Sequence, residues 1–594
     1  MYWSKRFLAL LRSSPLRTAL GAFLLVAFII GGSLSLERGE ETKDRGSHLA
    51  PEPGTSVFTM LGRFVDTHNS PLGEAHATLH LSGLLLGEAE SQPDGGFTLR
   101  FSLPPEKLSA LSQGEGTLKL EAWRHNFRPL TREIPLDFSG EGEKERLIDL
   151  GEMTLIHRRD WAFWFAAASF GLTLALIAFE LLHKTTAAML GALLVLLGSE
   201  IASLFNPEWG FLSFERAVQA IDFEVIFLLV GMMIFVAMVE EAGFFQWLAF
   251  AAYRVARGRP WMLMVILTLL TGAVSALLDN AITVLLMAPI TVEIALKLGL
   301  NPLTLLFPEV LASNIGGMTT LVGTPPNILI GAHAGFNFGD FLVNTGPVAL
   351  LSLLALVAFM RWRYGAAYRM AEEIDSTALF ERLREDSRIT QPELLQRTAV
   401  VGTGMLALFL VGPRLHLIPA LTALLGAVVL IIWVCPDVER MVHEVDWTTL
   451  LFFMALFIQV SALEEVGVIH WIADVVKDLA GESRLLAMLL LLWPSALLSG
   501  VIDNIPFTAA MLPVADYLTK AVPGGESGLF FWALALGAGF GGNASLIGAA
   551  PNLIAAGIAE RAGFPVTYLR FLVDGLPVTI ISVAIATLWL LVRF

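Results

Sequence analysis

From residue 161 to its end the chain repeats one pattern, long apolar runs separated by short polar breaks. Runs near 161–182, 185–205, 223–240, 302–331, 341–360, 397–413, 417–435, 447–463, 528–558 and 567–592 are long and apolar enough to cross a membrane. Two further segments, 261–290 and 485–515, are apolar but interrupted, and they read as re-entrant hairpins rather than simple spans. Ten crossings would return the C-terminus to the side on which the segment before 161 lies. The stretch 361–396 is rich in arginine and equally rich in acids, which predicts a solvated cytoplasmic linker between two halves, 161–360 and 397–594.

Before residue 161 the period changes to two. HATLHLSG (76–83) and GGFTLRFSLP (95–104) alternate apolar and polar positions and read as strands, with turn signals at Asn69-Ser70-Pro71 and Pro93-Asp94-Gly95-Gly96. Residues 37–55 are polar and read as a linker. Ahead of them, Lys5, Arg6, Arg12 and Arg17 precede the apolar run 18–36, so residues 1–36 are expected to be a cytoplasmic start and a transmembrane anchor. Residues 37–160 would then be exported, and the C-terminus would lie on the same side.

Composition narrows the class. Hydrophobic residues make up 55% of the chain and charged residues only 16%, with a mean hydropathy of +0.67, as expected of a polytopic membrane protein. A net charge of -15 argues against a nucleic-acid partner. The single cysteine, Cys435, excludes an internal disulfide or a cysteine-based metal cluster. His68, His76, His80 and His125 read as surface or strand residues rather than a metal site. The chain has no G-x-x-x-x-G-K-[ST] loop, hence no sign of ATP-driven pumping. A G-x-G-x-x-G at Gly537, Gly539 and Gly542 lies in a membrane segment with no strand before it, so it is not a dinucleotide fingerprint.

One stretch changes the picture. Ser275 to Pro289, SALLDNAITVLLMAP, puts Asp279 inside a membrane run, where a carboxylate costs roughly 2.5 to 3.5 kcal/mol and marks an ion path by default. The pattern S-x-x-x-D-N-x(8)-P returns at Ser499 to Pro513, SGVIDNIPFTAAMLP. A shift of 224 residues carries Asp279-Asn280 onto Asp503-Asn504, Asp222 onto Asp446, Glu240-Glu241 onto Glu464-Glu465, Gly243 onto Gly467 and Trp247 onto Trp471. A shift of 225 lays GGMTTLVGTPPN (316–327) on GGNASLIGAAPN (541–552). Five crossings separate equivalent points, an odd number, so the second half is expected upside down relative to the first. Inverted repeats suit alternating access around a site near the midplane.

Gly316-Gly317 with Pro325-Pro326, and Gly541-Gly542 with Pro551, should break the fourth and ninth crossings and free backbone carbonyls that a cation can satisfy. Hard cations take oxygen ligands. The candidates are Ser275, Asp279, Asn280, Gly316 and Gly317 in the first half, and Ser499, Asp503, Asn504, Gly541 and Gly542 in the second. A substrate would meet Thr283, Asn314, Thr319, Pro326 and Asn327, with Thr508, Asn543, Pro551 and Asn552. Glu240-Glu241 and Glu464-Glu465 fall at crossing ends before interfacial helices and read as solvated boundary residues. Glu309 lies inside a crossing and its repeat position is Leu534, so it is a proton carrier or a hydrogen-bonded packing residue.

SALLDN, SNIGGMTTLVGTPPN, DNIPFTAAMLPV and FGGNASLIGAAPNLIAAGIAE resemble the hairpin and broken-helix sequences of the ion transporter superfamily, over about residues 161 to 594. That superfamily includes sodium-coupled dicarboxylate and citrate transporters, arsenite permeases and a class of sodium/proton antiporters, and these motifs are similar to those of its melanosomal P-protein branch. The resemblance implies a homodimeric elevator, with scaffold and transport domains in each protomer. The order G-R-F-V-D…P-L-G-E-A…L…D-G-G-F-T-L resembles a carboxypeptidase regulatory-like β-sandwich over residues 56–155. Dicarboxylate carriers have tips that resemble Ser-Asn-Thr, whereas here they read Asp279-Asn280-Ala281 and Asp503-Asn504-Ile505. An added carboxylate repels a dicarboxylate and strengthens binding of Na⁺ or H⁺.

The expectation is a secondary transporter in a bacterial inner membrane, not an enzyme. It would need no cofactor beyond Na⁺ or H⁺ as coupling ions, and would exchange Na⁺ for H⁺. Sodium-coupled uptake of a small anion such as a di- or tricarboxylate is the alternative. A receptor or assembly protein acting through its β-domain is a third reading, from another class.

Overall fold

The structure is a computed structural model. It describes residues 56–67, 71–73, 75–81, 84–104, 118–124, 127–134, 145–206, 209–257, 259–371, 391–481 and 483–594. The expected N-terminal anchor and linker (1–55), His68, His125 and the central part of the expected linker between halves (372–390) lie outside these residues. The chain divides into two compact units, one formed by 129–155 and residues before 125, the other by 125–128 with 156–594.

The first unit has seven strands, β1 Ser56–Val65, β2 His76–Leu81, β3 Leu84–Glu90, β4 Gly96–Leu103, β5 Leu118–Trp123, β6 Leu130–Ile134 and β7 Glu145–Thr154. They form a sheet in the order β4-β1-β7 and another in the order β3-β2-β5-β6. Both strands expected from the alternation are present, as β2 and β4. Their buried positions Ala77, Leu79, Leu81, Phe97, Leu99, Phe101 and Leu103 alternate with more exposed neighbours, as one-sided burial of a sheet requires. The expected turn at Pro93-Asp94-Gly95-Gly96 uses Gly95 at φ 80, where a Cβ would lie 2.4 Å from the Phe64 carbonyl oxygen. His76 stacks across the strand pair on Trp123 with centroids 4.4 Å apart.

The second unit is helical. Its first half comprises α1 Trp161–Ala178, α2 Lys184–Phe205, α3 Phe214–Gln219, α4 Phe223–Glu241, α5 Phe244–Ala256, α6 Pro260–Ser275, α7 Asn280–Lys297, α8 Leu303–Gly317, α9 Pro325–Ala334, α10 Phe338–Asn344 and α11 Gly346–Ala371. Its second half comprises α12 Pro392–Val411, α13 Pro419–Val434, α14 Val438–Glu444, α15 Trp447–Glu465, α16 Val468–Ala480, α17 Arg484–Ser499, α18 Asn504–Ala521, α19 Leu529–Gly541, α20 Ala550–Arg561 and α21 Tyr568–Arg593. Among the described residues, 8 helices are long and apolar enough to cross a membrane. Large apolar side chains such as Trp164, Phe205, Leu351, Ile432 and Val592 stand exposed, which suits lipid and not water.

The two halves repeat in structure as in sequence. Asp222 caps α4 and Asp446 caps α15, Gly243 at φ 79 and Gly467 at φ 82 turn the chain into the amphipathic helices α5 and α16, and both crossings that were expected to break do so. α8 ends at Gly317 and α9 starts at Pro325, while α19 ends at Gly541 and α20 starts at Ala550, with Pro551 behind it. A proline in the first turn is tolerated because its missing N–H has no helical partner there anyway.

Several boundaries differ from expectation. The second arms of the two helix pairs run on to Lys297 and Ala521, past Pro289 and Pro513, so both are 18 residues long, and of the two α7 is also apolar enough for a crossing. A membrane helix absorbs an internal proline, since the apolar medium leaves its other backbone bonds no competitor. The expected crossing 341–360 splits into the short α10 and an α11 that extends to Ala371, which shortens the linker expected at 361–396. The paired glutamates also differ within each pair: Glu240 and Glu464 are exposed, but Glu241 and Glu465 are half-buried, and Glu465 pairs with Arg216 at 2.7 Å.

Within this unit the helices form two packed groups. α4 packs on α13 and α2 on α15, with α1 and α12 beside them. In the other group α6 packs on α8, α17 on α19, and the halves interlock, α7 against α20 and α18 against α9. α11 and α21 cover this second group. A Cβ at Gly231 in α4 would lie 2.6 Å from the Ala423 carbonyl carbon of α13, so this crossing is set by backbone contact. Gly231→Ala is therefore expected to lower the stability of the detergent-solubilised protein by about 1–3 kcal/mol in thermal unfolding. Gly404→Ala, with nothing within 4 Å of the added Cβ, should leave it unchanged, and equal effects would refute the close crossing.

Candidate functional site

Each tip joins two helices through a tight turn, and each tip aspartate is the N-cap of the helix it precedes. Asp279 Oδ1 accepts from the backbone N–H groups of Ala281 at 2.9 Å and Ile282 at 3.2 Å, and Asp503 Oδ1 from Ile505 N–H at 3.0 Å. Oδ2 of both carboxylates accepts no hydrogen bond among the described residues. Capping engages one oxygen and aims the carboxylate at the positive end of the helix dipole. Asp503 is buried and Asp279 half-buried.

The tips are tied to the interrupted helices by the same hydroxyl contacts in both halves. Ser275 donates to the Ser313 carbonyl at 2.7 Å and Ser499 to the Ala538 carbonyl at 2.7 Å. Thr320 donates to the Ala276 carbonyl and Ser545 to the Gly500 carbonyl. Thr320 and Ser545 are the fifth residues of the repeated GGMTTLVGTPPN and GGNASLIGAAPN, a hydroxyl kept in both, which is a signal that could have marked them from sequence. Glycine makes the approach possible. A Cβ at Gly316 would lie 2.1 Å from the Gly272 carbonyl oxygen, and one at Gly541 would lie 2.4 Å from that of Ala496. At Gly317 an added Cβ would meet Gly323 O at 2.8 Å and Ser275 Oγ at 3.3 Å, whereas at Gly542 it would meet Gly548 O at 3.3 Å.

The carbonyls freed by the breaks were expected to await a cation, but asparagine amides meet several of them. Asn327 Nδ2 donates to the carbonyls of Thr320 at 2.7 Å and of Gly317 and Met318 at 3.3 Å. Asn552 Nδ2 donates to those of Gly542 at 2.7 Å and Ser545 at 2.8 Å. The Gly316 and Gly541 carbonyls accept the N–H groups of Thr319 and Ala544. A carbonyl has two lone pairs, so these bonds orient the oxygens without exhausting them. Pro326 and Pro551 are buried at the second position of α9 and α20, within the first turn of each.

Between the halves lies a chain of buried amides. Asn280 Nδ2 donates to Asn314 Oδ1 at 2.9 Å, and Asn314 Nδ2 donates to Asn543 Oδ1 at 2.8 Å and Asn552 Oδ1 at 3.0 Å. Asn543 Nδ2 returns to the Leu311 carbonyl at 3.1 Å. The duplication stops here: Asn314 corresponds to Gly539 and Asn543 to Met318. A Cβ at Gly539 would lie 2.0 Å from the Met318 sulfur, which occupies the space. Asn552 Oδ1 therefore has a donor in Asn314, while buried Asn327 Oδ1, facing the glycine half, has none.

The other expected contacts are spread more widely. Thr283 and Thr508 donate to their own helices, at the carbonyls of Asp279 (2.9 Å) and Asn504 (2.7 Å), and they are one register apart in the repeat. Asn504 is buried beside its aspartate, and half-buried Thr319 turns its methyl toward Gly346. The Lys184 ammonium, at the start of α2, acts electrostatically on both Asp279 and Asp503 and lies 5.5 Å from the Phe452 ring. A lysine flanking an apolar run has no sequence signal that separates this role from an ordinary crossing boundary.

Residues 174–537 match the family model described as citrate transporter. An uncharacterised transporter of Mycobacterium tuberculosis is 40% identical over 421 residues, 71% of this chain and 96% of the relative. A 46 kDa membrane protein of Mycobacterium leprae is 38% identical over 72% of this chain and 98% of its own length. The human P protein is 33% identical over 70% of this chain and 58% of its own length.

Asn314→Ala would leave Asn280 Nδ2, Asn543 Oδ1 and Asn552 Oδ1 buried without partners, at about 1–3 kcal/mol each. It should lower the thermal midpoint in detergent well below that of Asn280→Ala, which orphans one atom. The reverse order would show that Asn314 is not the hub.

Proposed function

The chain belongs to the citrate transporter family and is a membrane transporter, not an enzyme, and from this we propose that it is a cation-coupled secondary transporter exchanging Na⁺ for H⁺, with cation sites at its two Asp-Asn tips. The observation that carries the reading is the duplicated tip. Two capping aspartates each keep one oxygen out of hydrogen bonding, and each tip is fastened to an interrupted helix whose carbonyls are turned inward. Two carboxylates in an apolar region favour binding of a small cation over a dianion.

In this reading Ser275, Asp279, Asn280 and the Gly316-Gly317 carbonyls hold one cation, and Ser499, Asp503, Asn504 and the Gly541-Gly542 carbonyls hold the other. The halves are inverted repeats, and the second helix group is the moving body of an elevator that slides along the first. The segregation of the helices into two groups supports this, as does the interlocking of α7 with α20 and α18 with α9, which would let both tips travel together. A homodimer built on the first group, an exported β-sandwich and a bacterial plasma-membrane location complete the proposal.

A second reading, sodium-coupled uptake of a small anion, is favoured by helix geometry. The N-termini of α7, α9, α18 and α20 all lie at the breaks and tips, and helix N-termini attract anions. The family's description as citrate transporter points the same way. Thr283, Asn314, Thr319, Pro326 and Asn327 would then face the anion, with Thr508, Asn543, Pro551 and Asn552.

In proteoliposomes holding a pH dye, an imposed sodium gradient without organic anion should drive proton movement in the wild type. That movement should fall at least tenfold in Asp279→Asn and in Asp503→Asn, while both variants keep their fold. Flux that survives both substitutions would refute the cation assignment. Sodium-dependent uptake of labelled citrate without proton exchange would replace it with the anion reading.

A further inference from the structure

Glu309 stands in the middle of α8, fully buried, between the two arms of the first hairpin. Its Oε1 accepts from Thr271 Oγ1 of α6 at 3.4 Å, and its Oε2 has no hydrogen-bond partner. The Thr291 hydroxyl of α7 faces the same carboxyl, is itself fully buried and has no hydrogen-bond partner. No lysine, arginine or histidine among the described residues pairs with Glu309.

The charges on the elements packed against α8 are engaged elsewhere or exposed. Glu293 and Lys297 of α7 pair with each other, and Asp279 caps the far end of that helix. Arg363 and Tyr364 of α11 hold Asp574 of α21, and Tyr368 donates to the Thr304 carbonyl. Arg361 lies over the Trp261 ring and Arg593 donates to Asn344, while Arg369, Glu560, Arg561 and Arg570 are exposed. α6 and α19 carry no ionisable side chain.

The second half shows what this place looks like without an acid. Glu309, Thr271 and Thr291 correspond to Leu534, Ser495 and Ala515, all three buried, and the Ser495 hydroxyl there has no partner. The acid and its two threonines are present together in one half, and the other packs with leucine, serine and alanine, so the fold does not need the acid. An unpaired carboxylate in a membrane interior is strongly disfavoured, whereas a protonated acid is neutral and its O–H can donate.

We propose that Glu309 is a proton-binding site distinct from the two aspartates, bonded by the Thr271 hydroxyl and faced by the unpartnered Thr291 hydroxyl, and that it carries the exchanged proton while the aspartates hold sodium. The second part rests on the exchange reading above. The first part stands on the geometry alone. Proton uptake makes one O–H bond at the carboxylate and consumes nothing else. The carboxyl is bonded to α6 through Thr271 and lies against α7 at Thr291, so gain or loss of this proton bears on all three helices.

Two readouts on the full-length protein separate the parts. Infrared spectra of the purified protein should contain the carbonyl stretch of a protonated carboxylic acid, lost in Glu309→Gln. Glu309→Gln should keep the sodium-induced rise in thermal midpoint yet lose at least tenfold in sodium-driven proton flux. Asp279→Asn should do the opposite, keeping the band and losing the sodium response. Should Glu309→Gln misfold, the Glu309→Leu/Thr291→Ala double variant copies the second half and carries the same test. A band unchanged in these variants, or wild-type proton flux in Glu309→Gln, overturns the proposal. If the wild type shows no sodium-driven flux but has a Glu309 band, the proton site stands and the exchange reading falls. Absence of the band removes the site whatever the flux.

Discussion

A helix interrupted inside a membrane exposes carbonyl groups that lipid cannot solvate, and the architecture around the two breaks is organised to meet that demand. The answer lies within the protein, in asparagines that begin the returning helices and donate back to the break they have just left. The hairpin tips add the second support: Ser275 and Ser499 donate to carbonyls of α8 and α19, and Thr320 and Ser545 of the loops donate back to carbonyls of the tips. Glycines at the contact points permit the approach, since any Cβ there would strike backbone. What remains is a pair of pre-formed oxygen-lined loops, each next to a carboxylate whose cap leaves one oxygen over.

Duplication accounts for most of this, and the departures from it are as informative. Where symmetry would place two equivalent residues across the centre, the chain has Asn314 and Asn543 on one diagonal, and Met318 and Gly539 on the other. One side becomes a hydrogen-bonded seam between the halves and the other an apolar contact that leaves the Asn327 amide oxygen without a donor. Glu309 and Leu534 differ in the same sense. Two halves with identical scaffolds thus offer chemically unequal surroundings, as a carrier handling two different ions would need.

Much of this was legible in the sequence because it is written in strong local signals. Apolar run length located the helices, and the glycine and proline clusters located both breaks to within a residue or two. The repeat identified the aspartates, and the period-two segments gave β2 and β4. The capping role of Asp279 and Asp503 was less visible, because in an apolar run an aspartate reads as a ligand first and as a helix start second. The long reach of α7 and α18 was missed because Pro289 and Pro513 look like terminators, although a membrane helix can carry them. The bond from Asn314 to Asn543 could not be read at all. It joins non-equivalent positions far apart in the chain, and neither periodicity nor repetition encodes such a pair.

The two amphipathic helices α5 and α16 lead to a different kind of consequence. Each is attached through a left-handed glycine to the end of a helix of the first group, and each packs against the hairpin of its own half, α5 on α6 and α7, α16 on α17 and α18. They are the covalent straps between the two helix groups, with one face apolar and the other wet. In the proposed elevator, displacement of one group past the other would drag these straps along the membrane surface, deforming the lipid around them. The barrier to such a motion would then be partly a property of the bilayer, set by its thickness, viscosity and lateral pressure.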